Sequence, residues 1–360
     1  MTDTVDARIP VTLLTGFLGS GKTTTLNHLL QMPELADTAV IINEFGEVGI
    51  DHLLVEQVSE NMRLLQSGCL CCTVRGDLID TLVDLHERRE SNAISPFSRV
   101  IIETTGLADP TPVVQTFMID PQMLQRYRLQ QVVTTVDAVN GAKTLDRHME
   151  AVKQVSLADR LFLTKTDLAS TELIEALEAR LADLNPAADI KRLIDGRIEA
   201  ADVLEGAVSL PRHGAFDVDA YMARIESGYG EASHREGDVH SHCLVLNQPL
   251  EQERLAYWLE LMASLRGENL LRVKGVVQVV EHLDQPTVVH GVQQIFHPLR
   301  QLPEWPSADR RSRIVLIVQD LDYAEIARTF EKFVGVSLPA FRPVSPIKAN
   351  SVKDSAELLK

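Results

Sequence analysis

Residues 16–23, GFLGSGKT, decide the fold class of this 360-residue chain. They match the pattern Gly-x4-Gly-Lys-Thr and lie between an apolar run, Val11 to Thr15, and a helical stretch, Lys22 to Leu30. Strand, glycine-rich loop and helix in this order predict a phosphate-binding loop, because glycines let successive N–H groups face phosphate oxygens. We expect Lys22 to pair with the β- and γ-phosphates and Thr23 to bind Mg²⁺.

The sequence around this loop predicts an α/β domain over residues 1–205. Short β-branched runs alternate with longer amphipathic stretches, the pattern of a P-loop NTPase parallel sheet with helices on both faces. Strands are predicted at 11–15, 39–42, 100–103, 131–136, 160–164 and 190–192, and helices at 22–30, 78–88, 111–117 and 171–184.

Beyond this domain the periodicity is lost and then returns. Residues 206–240 collect Gly, Ser, His and acidic residues and are interpreted as a linker. A smaller α+β C-terminal domain is predicted over 241–336, and the proline-containing tail, 337–360, is expected to be weakly ordered. The strands of this C-terminal domain are predicted at 243–246, 270–280, 287–292 and 313–318, and its helices at 252–264 and 323–333.

A second candidate phosphate motif is RVIIETTG, residues 99–106. An apolar strand ends there in a carboxylate, Glu103, and a glycine follows three residues later. Such a carboxylate can hold Mg²⁺ or its water, and Gly106 can offer its N–H to the γ-phosphate. We therefore expect Lys22, Thr23 and Glu103 to form the catalytic set.

The base is expected to contact TKTD, residues 164–167, which again follows an apolar strand. Asp167 can accept hydrogen bonds from both N1–H and N2–H₂ of guanine, whereas adenine has no such donor pair and would leave the carboxylate unpaired. GTP is therefore favoured over ATP. The usual first residue of this motif is Asn, and here it is Thr164. The predicted nucleotide-binding residues are Gly16, Gly19, Ser20, Gly21, Lys22, Thr23, Thr24, Gly106, Thr164, Lys165 and Asp167.

Three of the four cysteines, Cys69, Cys71 and Cys72, lie within four residues. Thiolates suit Zn²⁺, Co²⁺ or Cu⁺, and three so closely spaced can share one coordination sphere. Two alternatives stay open: buried structural cysteines and a redox dithiol. The spacing is not the Cys-x-x-Cys of disulfide exchange, which weakens the second alternative.

The net charge and the composition limit which partners the chain can have. The net charge of −16 opposes binding to nucleic acid or to anionic lipid, because both are negative. No apolar run is long enough for a membrane span, and residues 1–10 lack the apolar core of a signal peptide, so a cytoplasmic location is expected.

Taken together, these motifs resemble the CobW-like metallochaperone GTPases, a group that lies beside the urease and hydrogenase nickel-insertion GTPases. The resemblance rests on TGFLGSGKT (15–23), NEFGE (43–47), GCLCC (68–72), ETTG (103–106) and TKTD (164–167), and on RVKG (272–275) in the smaller domain. It covers about residues 8–335.

The resemblance implies a GTPase whose nucleotide state controls metal binding and delivery to a metal-dependent client protein. The implied metal ligands are Cys69, Cys71 and Cys72, with Glu44 near the metal or Mg²⁺. Zinc is favoured, and cobalt handling for cobalamin synthesis or nitrile hydratase activation is the alternative. The expected partners are GTP and GDP, the client and, as an option, a second copy of the chain.

Histidines around the domain junction offer a weaker candidate site at His234, His240 and His242, next to Cys243. In an extended strand, His240 and His242 would point to one face and Cys243 to the other. Solvated histidines are the favoured interpretation, and an accessory metal role is the alternative.

The mechanistic hypothesis is that GTP and Mg²⁺ order the segment from Asn43 to Gly49 and the cysteine turn, and that hydrolysis loosens the metal site. Intrinsic hydrolysis is expected to be slow, because no arginine finger or water-positioning glutamine is evident. Two rival functions stay open. One is a P-loop kinase of a small molecule with structural cysteines, and the other is a nucleotide-dependent switch that binds a partner protein.

Overall fold

Two β-sheets organise the computed structural model of the chain, which describes residues 7–42, 64–66, 74–194, 196–204, 239–305 and 309–338. The first sheet is parallel and its seven strands run in the order β3-β2-β4-β1-β5-β6-β7. These strands are β1 (Ile9–Gly16), β2 (Thr38–Ile42), β3 (Leu64–Gln66), β4 (Arg99–Glu103), β5 (Tyr127–Asp137), β6 (Arg160–Thr164) and β7 (Asp189–Arg192).

Eight described helices accompany this sheet. They are α1 (Lys22–Leu30), α2 (Val74–Glu90), α3 (Thr111–Ile119), α4 (Pro121–Arg126), α5 (Gly141–Arg147), α6 (Met149–Leu157), α7 (Thr171–Leu184) and α8 (Ala201–Leu204). Because the strands are parallel, the segments that follow β1, β4, β5 and β6 all leave from one edge of the sheet, which is where α/β proteins bind ligands.

Consecutive side chains of β1 point to opposite faces of the sheet, so their contacts show which helices cover each face. Leu13 is fully buried in a cluster with residues of α2, α3 and α4, whereas its neighbour Leu14 is buried in a cluster with α1 and α8. In β6, Leu161 and Leu163 pack with α5, α6 and α7, while Phe162 lies between them on the α1 face. The sheet is therefore covered on both sides.

The second sheet is antiparallel, in the order β11-β10-β9-β13-β8, with β12 paired to β10. Its strands are β8 (Val239–Leu246), β9 (Leu270–Val279), β10 (His282–Val292), β11 (Ile295–Phe296), β12 (Arg300–Gln301) and β13 (Ser312–Gln319). Two helices, α9 (Gln252–Arg266) and α10 (Tyr323–Val334), cover one face around the buried pair Trp258 and Phe330.

The other face of the second sheet packs against the first domain. Leu271, Val315 and Ile317 form a buried cluster with Ala187, which lies between α7 and β7. Val292 of β10 belongs to the same apolar cluster as α3, and Gln115 of α3 donates a hydrogen bond of 2.9 Å to Gln293. Both faces of this small sheet are thus buried, one by helices and one by the neighbouring domain.

The predicted fold class is confirmed: a P-loop parallel sheet followed by a smaller α+β unit. The limits of α1, β6 and α7 agree with the sequence prediction, and α2 begins at Val74, earlier than expected. Four helices were not predicted, α4, α5, α6 and α8, and neither were the short strands β3, β11 and β12. The predicted linker ended at residue 240, whereas β8 already begins at Val239. Residues 206–238 and the tail from 339 lie outside the described residues. Within those described, no helix is long and apolar enough to cross a membrane.

Candidate functional site

The phosphate loop joins β1 to α1 and depends on its glycines. Gly19 and Gly21 have φ of +71° and +90°, in the left-handed region that favours glycine. Gly16, with φ of +142°, lies so close to β5 that a Cβ there would be 2.3 Å from the Thr135 hydroxyl. The Ser20 hydroxyl is hydrogen-bonded to the same Thr135 hydroxyl at 2.6 Å, so the loop is fixed to the neighbouring strand.

Lys22 lies across this loop rather than pointing to solvent. Its side chain is buried, and its ammonium donates hydrogen bonds to the carbonyls of Gly16 (2.9 Å) and Phe17 (3.2 Å). Lys22 is the first residue of α1, and the N–H groups at the start of a helix have no carbonyl partner within the helix. Ammonium, loop amides and helix end together create a strongly anion-attracting site.

Thr23 and Glu103 meet at the edge of the sheet, although 80 residues separate them. The Thr23 hydroxyl donates a hydrogen bond of 2.9 Å to Glu103 Oε1, and Glu103 is 5% exposed. This brings the end of β4 to the first turn of α1. A hydroxyl oxygen and a carboxylate oxygen at this separation are hard ligands of the kind that Mg²⁺ prefers.

The turn after β4 is tied to the phosphate loop. Thr104 donates its N–H to Leu14 O (3.0 Å) and its hydroxyl to the Thr15 hydroxyl (2.8 Å). Gly106 is buried against Leu18, and a Cβ on Gly106 would lie 2.6 Å from the Leu18 nitrogen. Only glycine fits at this contact, which brings the predicted γ-phosphate donor next to the loop.

The base motif is fastened to the same loop from the other side. Lys165 has φ of +57°, and its ammonium donates hydrogen bonds to Gly19 O (2.8 Å) and Asp137 Oδ2 (2.7 Å). The Thr164 hydroxyl donates to Ser20 O at 2.7 Å. Thr164, at the position where the motif usually has Asn, thus links the base motif to the phosphate loop.

Asp137 was not predicted from sequence. It ends β5 and accepts hydrogen bonds from the Val139 and Asn140 amides as well as from Lys165. Burial raises the pKa of this carboxyl, but the hydrogen bonds from Lys165 and Asn140 outweigh burial and lower the pKa below its usual value. Asp137 therefore stays ionised and holds Lys165 in its left-handed conformation.

Asp167 itself is exposed, in a single-turn 3₁₀ helix over Thr166–Leu168. In the described part of the chain, no hydrogen bond or ion pair occupies its carboxylate. Thr166 is anchored by its hydroxyl to Leu193 O (2.9 Å), in the segment after β7. That segment also reaches α1, since a Cβ on Gly196 would lie 3.1 Å from the Thr24 methyl carbon. The predicted nucleotide residues thus surround one loop.

The predicted metal ligands Cys69, Cys71, Cys72 and Glu44 lie outside the described residues, as does His234. Among the described residues, no group of three or more His, Cys, Asp or Glu side chains could hold a metal. His240 and His242 share a face of β8, with ring centroids 6.4 Å apart. Cys243 is buried on the opposite face, so the predicted separation of this trio is confirmed.

A buried ionic cluster joins the two domains behind the nucleotide site. Asp159, between α6 and β6, accepts hydrogen bonds from Arg272 and Lys274 of β9 and from the Val132 amide at 2.7 Å. Burial raises the pKa of Asp159, but Arg272 and Lys274 outweigh it and hold the pKa well below its usual value. Burial lowers the pKa of Lys274 to about 8. This cluster was not predicted, because Asp159 lies 113 and 115 residues before Arg272 and Lys274 in the sequence.

The fold and the nucleotide site define a P-loop GTPase. The CobW/HypB/UreG nucleotide-binding domain family matches residues 10–192, and the cobalamin synthesis protein CobW C-terminal domain family matches residues 239–334. The chain belongs to the CobW family of GTPases.

Named relatives and a solved structure support this membership. The chain is 33% identical over 322 residues to the zinc chaperone YjiA of Escherichia coli, covering 89% of this chain and 98% of YjiA. It is 32% identical over 352 residues to the zinc chaperone CobW of Pseudomonas aeruginosa, covering 89% and 90%. The crystal structure of the Zn(II)-bound YjiA GTPase from E. coli superposes with a TM-score of 0.68 at 30% identity, covering 91% and 99%.

Proposed function

We propose that this GTPase is a zinc carrier. In this proposal Cys69, Cys71 and Cys72 bind Zn²⁺ as cargo, Glu44 lies beside them or beside Mg²⁺, and the chain delivers the ion to a zinc-dependent client protein. The nucleotide state sets how tightly the zinc is held. The GTPase chemistry follows from the family, whereas the cargo site and the delivery step are the proposal.

The observation that carries the proposal is the common edge of strands β2, β3 and β4. Ile42, Gln66 and Glu103 end these strands in register with one another. The segment with Glu44 follows Ile42, and the segment with the three cysteines joins Gln66 to Val74, the first residue of α2. Glu103 is bonded to Thr23 of the nucleotide site. Both segments therefore begin at the carboxyl ends of strands that adjoin the proposed nucleotide site.

The geometry of the loop supports the following nucleotide roles. Lys22 would exchange its bonds to loop carbonyls for β- and γ-phosphate oxygens. Thr23 and Glu103 would hold Mg²⁺, which supplies charge stabilisation to the phosphates when bound. The Gly106 N–H would stabilise the γ-phosphoryl oxygens as water attacks, and Asp167 would accept from the guanine N1–H and N2–H₂ groups. Gly16, Gly19, Ser20, Gly21 and Thr24 line this site.

Zinc is proposed as the cargo for two reasons. Thiolates are soft ligands that suit Zn²⁺, and both relatives described above are named zinc chaperones. Cys243 is excluded from the site because it is buried in the second domain and burial raises the pKa of its thiol to about 12. Burial and the raised pKa both disfavour metal binding by this thiol.

The proposal requires a strong coupling between the nucleotide site and the zinc site. A thousandfold change in zinc affinity between the GTP and GDP states corresponds to about 4 kcal/mol, slightly above the usual range of about 1 to 3 kcal/mol for coupled sites. Moving three thiolates in and out of one coordination sphere changes enough bonds to supply this. Zinc binding should also release protons, since the ligands must be deprotonated.

The test is a zinc titration against a chromophoric chelator, performed with Mg-GDP and with a non-hydrolysable GTP analogue. The variant Cys71→Ser/Cys72→Ser removes two proposed ligands, and Cys243→Ala is the matched control for loss of a cysteine elsewhere. Co²⁺ titrated in parallel ranks the alternative cargo.

Much tighter zinc binding with the GTP analogue, lost in the double variant and kept in Cys243→Ala, supports the proposal. Equal zinc affinity in both nucleotide states overturns nucleotide-controlled delivery. Zn²⁺ ordinarily binds a given protein site more tightly than Co²⁺. If this protein binds Co²⁺ more tightly than Zn²⁺, the choice of zinc as the cargo is overturned.

A further inference from the structure

We propose that Gln154 of α6 is a positioning residue for GTP hydrolysis, because its carboxamide fixes the backbone turn at Gly106–Ala108 beside the phosphate loop. The inference rests on the proposed role of Gly106 as a γ-phosphate donor. It adds a residue that neither the motifs nor the family comparison single out.

The contacts account for both hydrogens of the carboxamide. Gln154 Nε2 donates to Gly106 O (3.1 Å) and to Ala108 O (3.0 Å), and the side chain is fully buried. A peptide unit is planar, so a fixed Gly106 carbonyl also fixes the plane of the bond to Leu107. On the other side, Thr104 is bonded to Leu14 and Thr15 of β1. Gly106 is therefore held from both directions.

Gly106 needs such support because glycine has the largest conformational freedom of any residue. Its contact with Leu18 forbids any side chain that would restrict it. A donor that stabilises developing charge works only if its direction is set before the reaction, and a misplacement of about 1 Å can cost roughly a hundredfold in rate. Gln154 supplies from outside the rigidity that Gly106 lacks.

The helix that carries Gln154 is itself anchored. The Gln154 carbonyl accepts from the Thr134 hydroxyl of β5 at 2.8 Å, and Lys153 bonds Asp109 at 2.8 Å at the far end of the turn. At the C-terminal end of α6, Asn185 donates to Val155 O at 2.7 Å, and Arg272 donates to Leu157 O. A group on a rigid helix sets geometry more accurately than one on a loop.

The polar contacts of the Gln154 carboxamide are made by its N–H donors and not by its oxygen. In the part of the chain described here, Gln154 Oε1 is buried and has no hydrogen-bond partner. Burying an unpaired carbonyl oxygen is unfavourable, and an apolar side chain of similar length would avoid it. The two N–H groups are the part of this side chain that makes polar contacts, and both go to the turn.

The test compares Gln154→Met, which keeps the length and removes both donors, with Gln154→Glu. Phosphate release at saturating GTP gives kcat, and labelled GDP and a GTP analogue give the two affinities. For Gln154→Met we expect kcat to fall about 10- to 100-fold, GTP-analogue affinity to fall several-fold, and GDP affinity to change less than twofold. Gln115→Met, which alters a buried glutamine on α3, should leave kcat unchanged.

Gln154→Glu adds a pH signature. At pH 8 the introduced carboxylate would face two carbonyl oxygens and kcat should be as low as in Gln154→Met. Toward pH 6 protonation restores one donor, and kcat should rise relative to wild type. Described titratable groups at the turn are Asp109 and Lys153. Burial raises the pKa of Asp109, but hydrogen bonds from Lys153 and Thr111 outweigh it and lower the pKa, so this carboxyl stays ionised. The kcat of wild type and of Gln154→Met, measured at the same pH values, shows how the titration of all other groups affects the rate.

Three results would overturn the inference. One is a kcat of Gln154→Met within twofold of wild type. Another is an equal loss of GDP and GTP-analogue affinity, which would indicate general damage. The third is a Gln154→Glu profile parallel to wild type. Gly106→Ala separates the failures: if it also leaves kcat unchanged, the proposed role of Gly106 fails, and if it lowers kcat while Gln154→Met does not, only the role of Gln154 fails.

Discussion

Strand β6 begins directly after one aspartate and ends three residues before another. Asp159, at its start, is buried and bonded to Arg272, Lys274 and the Val132 amide. Asp167, beyond its end, is exposed, and in the described residues nothing bonds its carboxylate. The first carboxylate is satisfied within the protein, and the second is available to a ligand.

One end of β6 therefore carries a carboxylate with partners inside the protein, and the other end carries a carboxylate that is open to a ligand. A buried carboxylate with two cationic partners contributes to holding domains together, and it cannot exchange partners without leaving buried charges unpaired. An exposed carboxylate contributes little to stability and can pair with donors from a ligand at small cost. Burial and partners, rather than residue type, decide which role an aspartate has.

The largest effect is expected at the structural end. Asp159→Ala leaves Arg272 and Lys274 buried without a counter-charge, and this should cost about 3 to 5 kcal/mol in the free energy of unfolding. Urea denaturation measures the loss. GDP affinity of the protein that remains folded should change less than twofold, because Asp159 lies at the far end of β6 from the base motif.

Glu178→Ala is the control for that change, since Glu178 pairs with Arg192 on the surface and its loss should hardly move the unfolding midpoint. The variant Asp159→Leu/Arg272→Met/Lys274→Met, which removes all three charges, should recover much of the stability. An unfolding free energy within 1 kcal/mol of wild type in Asp159→Ala would contradict a structural role for the cluster.

The opposite pattern is expected at the other end of β6. Asp167→Asn should leave the unfolding midpoint unchanged but weaken GTP binding by about 1 to 3 kcal/mol, because an amide cannot accept from both guanine donors. Xanthosine triphosphate presents a carbonyl at C2, to which the amide can donate, so its affinity should improve. Competition against labelled GDP measures both. Unchanged GTP affinity would exclude Asp167 from base recognition.

The two aspartates also mark what the sequence could predict. Asp167 could be proposed as a base-binding residue because its neighbours Thr164 and Lys165 form a local motif after a strand. Asp159 was not found, because its partners lie 113 and 115 residues away in β9. A signal was present: Arg272 and Lys274 alternate within the apolar strand LLRVKGVVQV, so both face one side and require a buried counter-charge.

The same reasoning applies to the fold. The phosphate-loop motif located α1, the base motif located the end of β6, and a periodic apolar pattern over 14 residues located α7. Helices α4, α5 and α6 occupy only six to nine residues each and leave too short a pattern. Gln154 lies on one of these, so its contact with Gly106 could not be inferred. The contact between Thr23 and Glu103, by contrast, could be anticipated, because the carboxyl ends of parallel strands lie at the same end of the sheet.

The smallest predicted effect concerns pH at the structural end of β6. His290 of β10 lies near the Asp159 cluster, and its ring is 5.0 Å from that of His297. Burial, followed by Arg272 and Lys274, lowers the pKa of His290 well below its ordinary value of 6.5. The unfolded chain therefore binds a proton near pH 6.5 that the folded chain does not. Stability is complete above that pH and falls as pH drops below it.

Between pH 7.5 and 5.5 one such histidine should cost about 1.4 kcal/mol in the free energy of unfolding, and His297, whose pKa burial also lowers, adds to the loss. Urea denaturation of wild type and His290→Gln at both pH values measures it, and the variant should lose about 1.4 kcal/mol less than wild type over this interval. Asp159 does not contribute, because its lowered pKa keeps it ionised throughout. An equal loss in both proteins would show that His290 titrates normally, and the Asp159 end of β6 would then be more open to water than its buried charges indicate.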